Sequence, residues 1–263
     1  MTELIDLSRP LRHQDKAKLP ALLAPLARII APDIDFVDHA RGAQIMQAIF
    51  GCPQSDLRNN EGWAEDDVSL SSHLGTHVDA PWHYGSTCNG EKAKTVDQIP
   101  LSDLYLSACV LDLSHLKGTG QAITIEHLQK ALEKISYRIQ KGDAVLIRTD
   151  HDKFDFDNPI KYNYPGLTRE SALWLAEQGA KVGGTDALGW DRPFHIMVAD
   201  YRRTGDKSFI WDAHYAYRDI ECYVVQQLTN LDRLPAHGFK VGFFPILLVG
   251  ASSAPARVVA FLD

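Results

Sequence analysis

The chain is short of the features that mark secreted, membrane-spanning or nucleic-acid-binding proteins. Cysteine occurs four times in 263 residues, at Cys52, Cys88, Cys109 and Cys222, and never as a CxxC pair. That excludes a disulfide framework, and the four read as reduced, packed thiols. No basic stretch followed by an apolar one opens the chain, which begins MTELIDLSRP, so no signal peptide is read. Long hydrophobic runs are missing as well. The longest, Phe243 to Gly250, is interrupted by Pro245 and falls far short of the roughly 20 residues a bilayer span needs. Positive charge is outweighed, 27 Lys and Arg against 34 Asp and Glu, for a net charge of -7. Such acidity argues against a protein that grips nucleic acid by its phosphates, and it gives no reason to expect a membrane as partner. There is no GxSxG elbow for a serine nucleophile, no phosphate-binding loop with its Lys, no internal repeat and no linker. The expectation is a cytoplasmic protein forming one domain over residues 1–263, with enough apolar residues (45%) to bury a core around a well-defined site.

Short apolar runs bounded by turn residues read as strands: Leu4 to Leu7, Ser107 to Leu113, Ala144 to Arg148, Phe239 to Phe244, Ile246 to Val249 and Arg257 to Phe261. Between them, Ile125 to Ile139 places Ile125, Leu128, Leu132 and Ile135 at helical steps behind Thr124 as N-cap. Thr168 to Gln178 reads as a helix stopped by Gly179, and Ala21 to Ile30 as a weaker one, since Pro25 falls inside it. The elements do not alternate in a strict βαβ rhythm, and the last three are strands. This pattern predicts a mixed-sheet, layered α/β fold rather than a doubly wound sheet or a (β/α)8 barrel.

The segment that carries chemistry is Ser72 to Gly85, SHLGTHVDAPWHYG. It holds His73, His77 and His83, three of the chain's eleven histidines, and Asp79 within eleven residues. A single histidine here would read as a packed, hydrogen-bonded residue. Two imidazoles and a carboxylate at this spacing point to a divalent cation, which such a set can hold while leaving positions open for water and substrate. On an extended strand His73 and His77 would stand about 13 Å apart, too far for one ion, so a turn hinged at Gly75 is required. Pro81 argues against a helix running through the segment. The expectation is therefore a turn from His73 to His77 and extended chain from Asp79 to His83.

HLGTHVDAPWH, from His73 to His83, matches HxGTHxDxPxH at every fixed position and so resembles the cyclase-like metal-dependent hydrolase family, which includes kynurenine formamidases and isatin hydrolases. IDLSRPL at Ile5 to Leu11 is similar to the family's opening strand. GGTDALGWDRPF at Gly183 to Phe194 and TNLDRLPAHGFKVGFFP at Thr229 to Pro245 resemble blocks of the isatin-hydrolase-like branch. The resemblance implies a swivelling β/β/α fold, a homodimer or higher homo-oligomer, and hydrolysis of a small aromatic amide by metal-activated water. It implies His73, His77 and Asp79 as metal ligands and His83 as the acid/base residue or a ligand to a second metal. It also implies that His214 helps to hold the oxyanion. Formamidases carry a Glu twelve residues after the histidine that His214 matches. Here that position is Gln226, with Glu221 and Asp219 the nearby carboxylates. A neutral amide is a poor ligand for a divalent ion, so one metal per site is expected, manganese before zinc.

Trp63, Trp82 and Trp190 are candidates to line a pocket for a planar substrate, although tryptophan also serves as a packing anchor. The acidic run Asp150 to Asp157 lacks the Gly and terminal Glu of a calcium loop and reads as a solvated loop. The leading expectation is an enzyme that opens a cyclic aryl amide, isatin to isatinate in type. A kynurenine formamidase, a lactone hydrolase of the same family and a catalytically silent binder are the alternatives.

Overall fold

The computed structural model describes residues 2–262. Eight strands make one mixed sheet: β1 (Glu3–Asp6), β2 (His77–Asp79), β3 (Tyr105–Asp112), β4 (Ala144–Arg148), β5 (Val182–Thr185), β6 (Tyr223–Gln226), β7 (His237–Pro245) and β8 (Ser253–Leu262). Their order is β1-β8-β7-β3-β4-β5-β6-β2, and β2 pairs again with β8. That second pairing closes seven strands into a barrel-like ring. β3, β4, β5 and β6 run parallel to one another, and the remaining pairs are antiparallel. Closure depends on β8, ten residues long. Along one edge it meets β7. Along the other it meets β1 near its end and β2 near its start. A closed ring has no unpaired central edge left to aggregate.

Alternation along each strand separates two cores. Val78, Ala108, Val110, Ala144, Leu146, Val182, Tyr223, Val225, Val241 and Val258 fill the ring. Cys109, Leu111, Val145, Ile147, Cys222 and Val224 face outward and are covered by helices Ile125–Lys134 and Arg169–Gln178. Burial of each such aliphatic side chain stabilises the fold by about 1.5–3 kcal/mol. The helices start where the sequence indicates: Thr124 accepts from the His127 amide and Thr168 from the Ser171 amide. The first ends earlier than Ile139, because Ile135 is already its C-cap and Ser136 turns to φ 51.

The mixed α/β architecture read from the sequence is present, with several corrections. Ile246 to Val249 is no strand. It is the reversal between β7 and β8, with Leu247 and Val249 75% and 85% exposed, so the chain ends in two strands rather than three. The segment Ala21 to Ile30 splits into a 3-10 turn, Ala21–Leu26, and a single α-turn, Ala27–Ile30, at the proline. Helices His39–Phe50 and Phe194–Thr204 went unread, as did β2, β5 and β6. β5 reads VGGT, a poor strand by propensity. Its glycines serve packing: a Cβ on Gly183 would meet the Trp190 ring at 2.5 Å. The acidic run is not simply solvated. Asp150 pairs with Arg148, and Asp152 accepts from the Asn230 amide. Among the described residues no helix is long and apolar enough to cross a membrane.

Gly183→Val should drive a side chain into Trp190 and cost about 1–3 kcal/mol as overpacking. Thermal unfolding should show the melting temperature falling by about 2–4 °C per kcal/mol lost.

Candidate metal centre

β2 sits between β6 and β8, with Val78 turned into the ring. By the two-residue period, His77 and Asp79 point the other way, on the face shared with Val224 and Gln226, their register partners in reverse order. The approach to β2 is pinned. Thr76 Oγ1 accepts from the Arg9 amide at 2.8 Å and donates to the Gln227 carbonyl at 2.6 Å. Gly75 takes φ 61, which a side chain would strain, and a Cβ there would also lie 2.3 Å from Leu11.

The turn sets a tautomer. His77 Nδ1 lies 2.7 Å from the Gly75 carbonyl and donates to it, so Nε2 keeps its lone pair. That Nε2 is buried with no hydrogen-bond partner, and so is Asp79 Oδ1. The two stand 3.3 Å apart, and His73 Nδ1 stands 2.9 Å from the same oxygen. Ligands on bonds of about 2.0–2.2 Å sit roughly 3.0–3.5 Å from one another. Each of the two spacings suits a pair of ligands on one cation, and the two orphaned atoms fit one. The set whose ligand atoms all lie within 4.8 Å of one another is His73, Asp79 and His83, which takes in His83 rather than His77. Burial works against ionisation of Asp79, but the neighbouring rings of His77, His83, His214 and His73 outweigh it and hold the carboxyl well below its ordinary range. Burial lowers His83 to about 4, with His73, His214 and His77 adding to the effect and Asp79 opposing it.

His83 does not lie on extended chain. Pro81 begins a helical turn, Pro81–Tyr84, as its first residue, where a missing N–H costs nothing; proline breaks a helix only further in. The turn swings the His83 ring to 4.1 Å from the His73 ring and 5.6 Å from that of His214. His214 arrives on the short helix Asp212–Ala216. Its Nδ1 makes a very short contact with Asp191, and its Nε2 lies 3.2 Å from the Gln226 amide nitrogen, which also reaches Asp79 Oδ2 at 2.6 Å. Burial opposes a charge on His214, while Asp191 and Asp79 more than offset it and raise the group to about 9. Glu221, the alternative carboxylate, is instead engaged by Lys94 and Lys181 at 2.8 and 2.9 Å.

A cavity of about 200 Å³ opens over these groups, lined by His73, His77, His83, His214 and Gln226 and walled by Tyr164, Trp190 and Trp211. Of the three tryptophans singled out by sequence, only Trp190 lines it. Trp82 is 40% exposed: successive residues of a helical turn diverge by about 100°, so His83 facing in leaves Trp82 facing out. Trp63 is 38% exposed, and its backbone packs on Gly42 instead. Two participants were missed. Asp191 lies inside the block GGTDALGWDRPF, where a buried acid beside an aromatic was the available signal. Trp211 carried none; it holds φ 50, unusual for a bulky residue, and stacks on His214 at 4.5 Å with its edge to His83 at 5.0 Å.

Residues 5–192 match the family model described as "Putative cyclase", and the chain belongs to that family. It is similar to the isatin hydrolase of Roseibium aggregatum, 26% identical over 201 residues (73% of each chain), and to the kynurenine formamidase of Bordetella petrii, 28% identical over 194 residues (73% of this chain, 78% of the other). Among solved structures, isatin hydrolase A from Ralstonia solanacearum shares the fold, with a TM-score of 0.75, 22% identity, and coverage of 100% of this chain and 92% of that one.

A flat aromatic ligand entering the cavity should quench tryptophan fluorescence. Trp63→Phe and Trp82→Phe should leave the quenching intact, whereas Trp211→Phe should remove a large part of it in the same titration.

Proposed function

We propose that this protein is a metal-dependent hydrolase that opens the C–N bond of a cyclic aryl amide, isatin to isatinate in type. The observation that carries the proposal is the pair of orphaned, buried atoms, His77 Nε2 and Asp79 Oδ1, beneath a cavity walled by aromatic rings. His73, His77 and Asp79 would hold one divalent ion, manganese before zinc, and such an ion supplies water that is acidic enough to react near neutral pH and a pull on the amide carbonyl. The remaining work belongs to the chain. His83, kept neutral by burial, accepts the proton released by the attacking water and returns it to the leaving nitrogen. The C–N bond breaks, the carbonyl carbon gains the water oxygen, and amine and carboxylate remain on one product. His214, paired with Asp191, stands at the far side of the same cavity, where it helps to place the carbonyl. Trp190 and Trp211 give the flat ring a wall that excludes water.

The likeness to an isatin hydrolase and to kynurenine formamidases supports amide hydrolysis. Gln226 in place of a carboxylate favours the single-ion, cyclic-amide reading over the formamidase one.

Chelated protein should be inactive, and added manganese or zinc should restore turnover in a panel of isatin, N-formylkynurenine and a dienelactone, with isatin the best substrate. His83→Ala should lower kcat by about 10²–10⁴-fold while metal content, read by elemental analysis, stays at the level of the unaltered protein. Full turnover in that variant removes the role given to His83. No metal-dependent hydrolysis of any panel member removes the functional reading.

A further inference from the structure

Val225 points into the ring and Gln226 out of it, so simple alternation would send Gln227 back inside. It does not go there. Gln227 lines the cavity beside Gln226, and Leu228 takes the interior position instead. The extra residue is fitted in by a left-handed backbone, φ 57 at Gln227, which works as a bulge does and re-aims one side chain. Such a φ is a cost for a residue that carries a side chain. Three hydrogen bonds hold the backbone there. The Gln227 amide donates to the Ala187 carbonyl at 3.1 Å, the Leu228 amide to the Thr185 carbonyl at 2.9 Å, and Thr76 Oγ1 to the Gln227 carbonyl at 2.6 Å. The last of these ties Gln227 to the residue before His77.

The side chain so placed is left without a partner. Gln227 is 4% exposed, and its Oε1 is buried with no hydrogen bond. An unsatisfied buried carbonyl is destabilising, and so is the φ that puts it there. Neither cost serves the core, because Val225 and Leu228 fill the ring without Gln227. A carbonyl oxygen accepts and cannot donate, so what completes it must bring an N–H or O–H. The rings on the same cavity, Tyr164, Trp190 and Trp211, suit a flat body. A flat molecule with a donor at its edge meets both demands.

We propose that Gln227 is a specificity-determining residue of this cavity: its Oε1 accepts the ring N–H of the cyclic aryl amide, so the site selects a lactam over an isostere that has no N–H. This rests on the reading of the protein as a cyclic-amide hydrolase. A small ring forces its amide cis, so the N–H and the C=O leave along one edge. An open secondary amide in its preferred trans form sends them in opposite directions. A lactam whose carbonyl faces His73, His77 and Asp79 therefore turns its N–H to the adjoining wall, where Thr76 and Ala187 hold Gln227. The N–H of a trans open-chain amide would point away, and a lactone brings no proton to that oxygen.

The test compares isatin with indane-1,2-dione, in which a CH2 replaces the N–H and the rest of the ring system is kept. Binding is read by tryptophan fluorescence in the full-length chelated protein, which turns neither compound over. The unaltered protein should bind isatin about 10-fold more tightly than the CH2 analogue. Gln227→Leu, which removes the acceptor, should bring the two dissociation constants together with circular dichroism unchanged. In manganese-loaded protein the same variant should lower kcat/KM for isatin by about 10-fold, mostly through KM. Equal binding of the two compounds by the unaltered protein overturns the proposal, and that measurement needs no variant to fold. So does a Gln227→Leu protein that keeps the preference for isatin. The expected preference, with no amide hydrolysed under either metal, would sink the functional reading and leave the contact standing. Metal-dependent opening of isatin alongside equal binding would do the reverse. Binding of neither compound overturns this proposal, and with no turnover of isatin it takes the functional reading as well.

Discussion

Three residues, His77 to Asp79, must be held as a strand in the gap between β6 and β8. The strand does two things at once. Its backbone completes the ring of hydrogen bonds, and Val78 fills the barrel with its neighbours Val225 and Ala254. With Val78 committed inward, the two-residue period sends both polar side chains to the opposite face. A one-residue slip would bury His77 and Asp79 in an aliphatic core and expose the valine, at a cost no fold of this size could absorb. The register that makes the core is the register that makes the site.

Around that strand the structure arranges scarce hydrogen-bonding capacity. Asp79 is wholly buried, and only one of its oxygens has a donor. His77 spends its single ring proton on the Gly75 carbonyl. What remains is a lone pair and a carboxylate oxygen facing each other across 3.3 Å, an arrangement that is unfavourable without a cation between them. The aromatic side of the cavity carries strain of its own, since Trp211 is held at positive φ where its ring braces His214 and His83. Both features are costs that a purely structural protein would have no reason to keep.

The core strands and the two covering helices were legible because their signals are local. Ala144 to Ile147 is a continuous apolar run, as a strand covered on both faces should be, and Thr124 and Thr168 cap the helices they precede. The strands that went unread have no such signal. β2 is three residues long and two of them are polar; β5 is half glycine. Ile246 to Val249 looks like a strand for the opposite reason, being apolar while the backbone around it turns back. Pro81 shows how position decides meaning: the residue taken to forbid a helix starts one.

The sequence by itself determined that three imidazoles, a carboxylate and a hinge glycine stand together within eleven residues, a covalent fact that needs no folding to be seen. Only the tertiary structure decided how they are used. It brought Gln226, Asp191 and Trp211 from 100 or more residues away to the same carboxylate and rings, and it turned Trp82 and Trp63 out of the cavity. Those outcomes depend on strand register, helical phase and hydrogen-bond valence, and these are properties of neighbours in space that order along the chain does not encode locally.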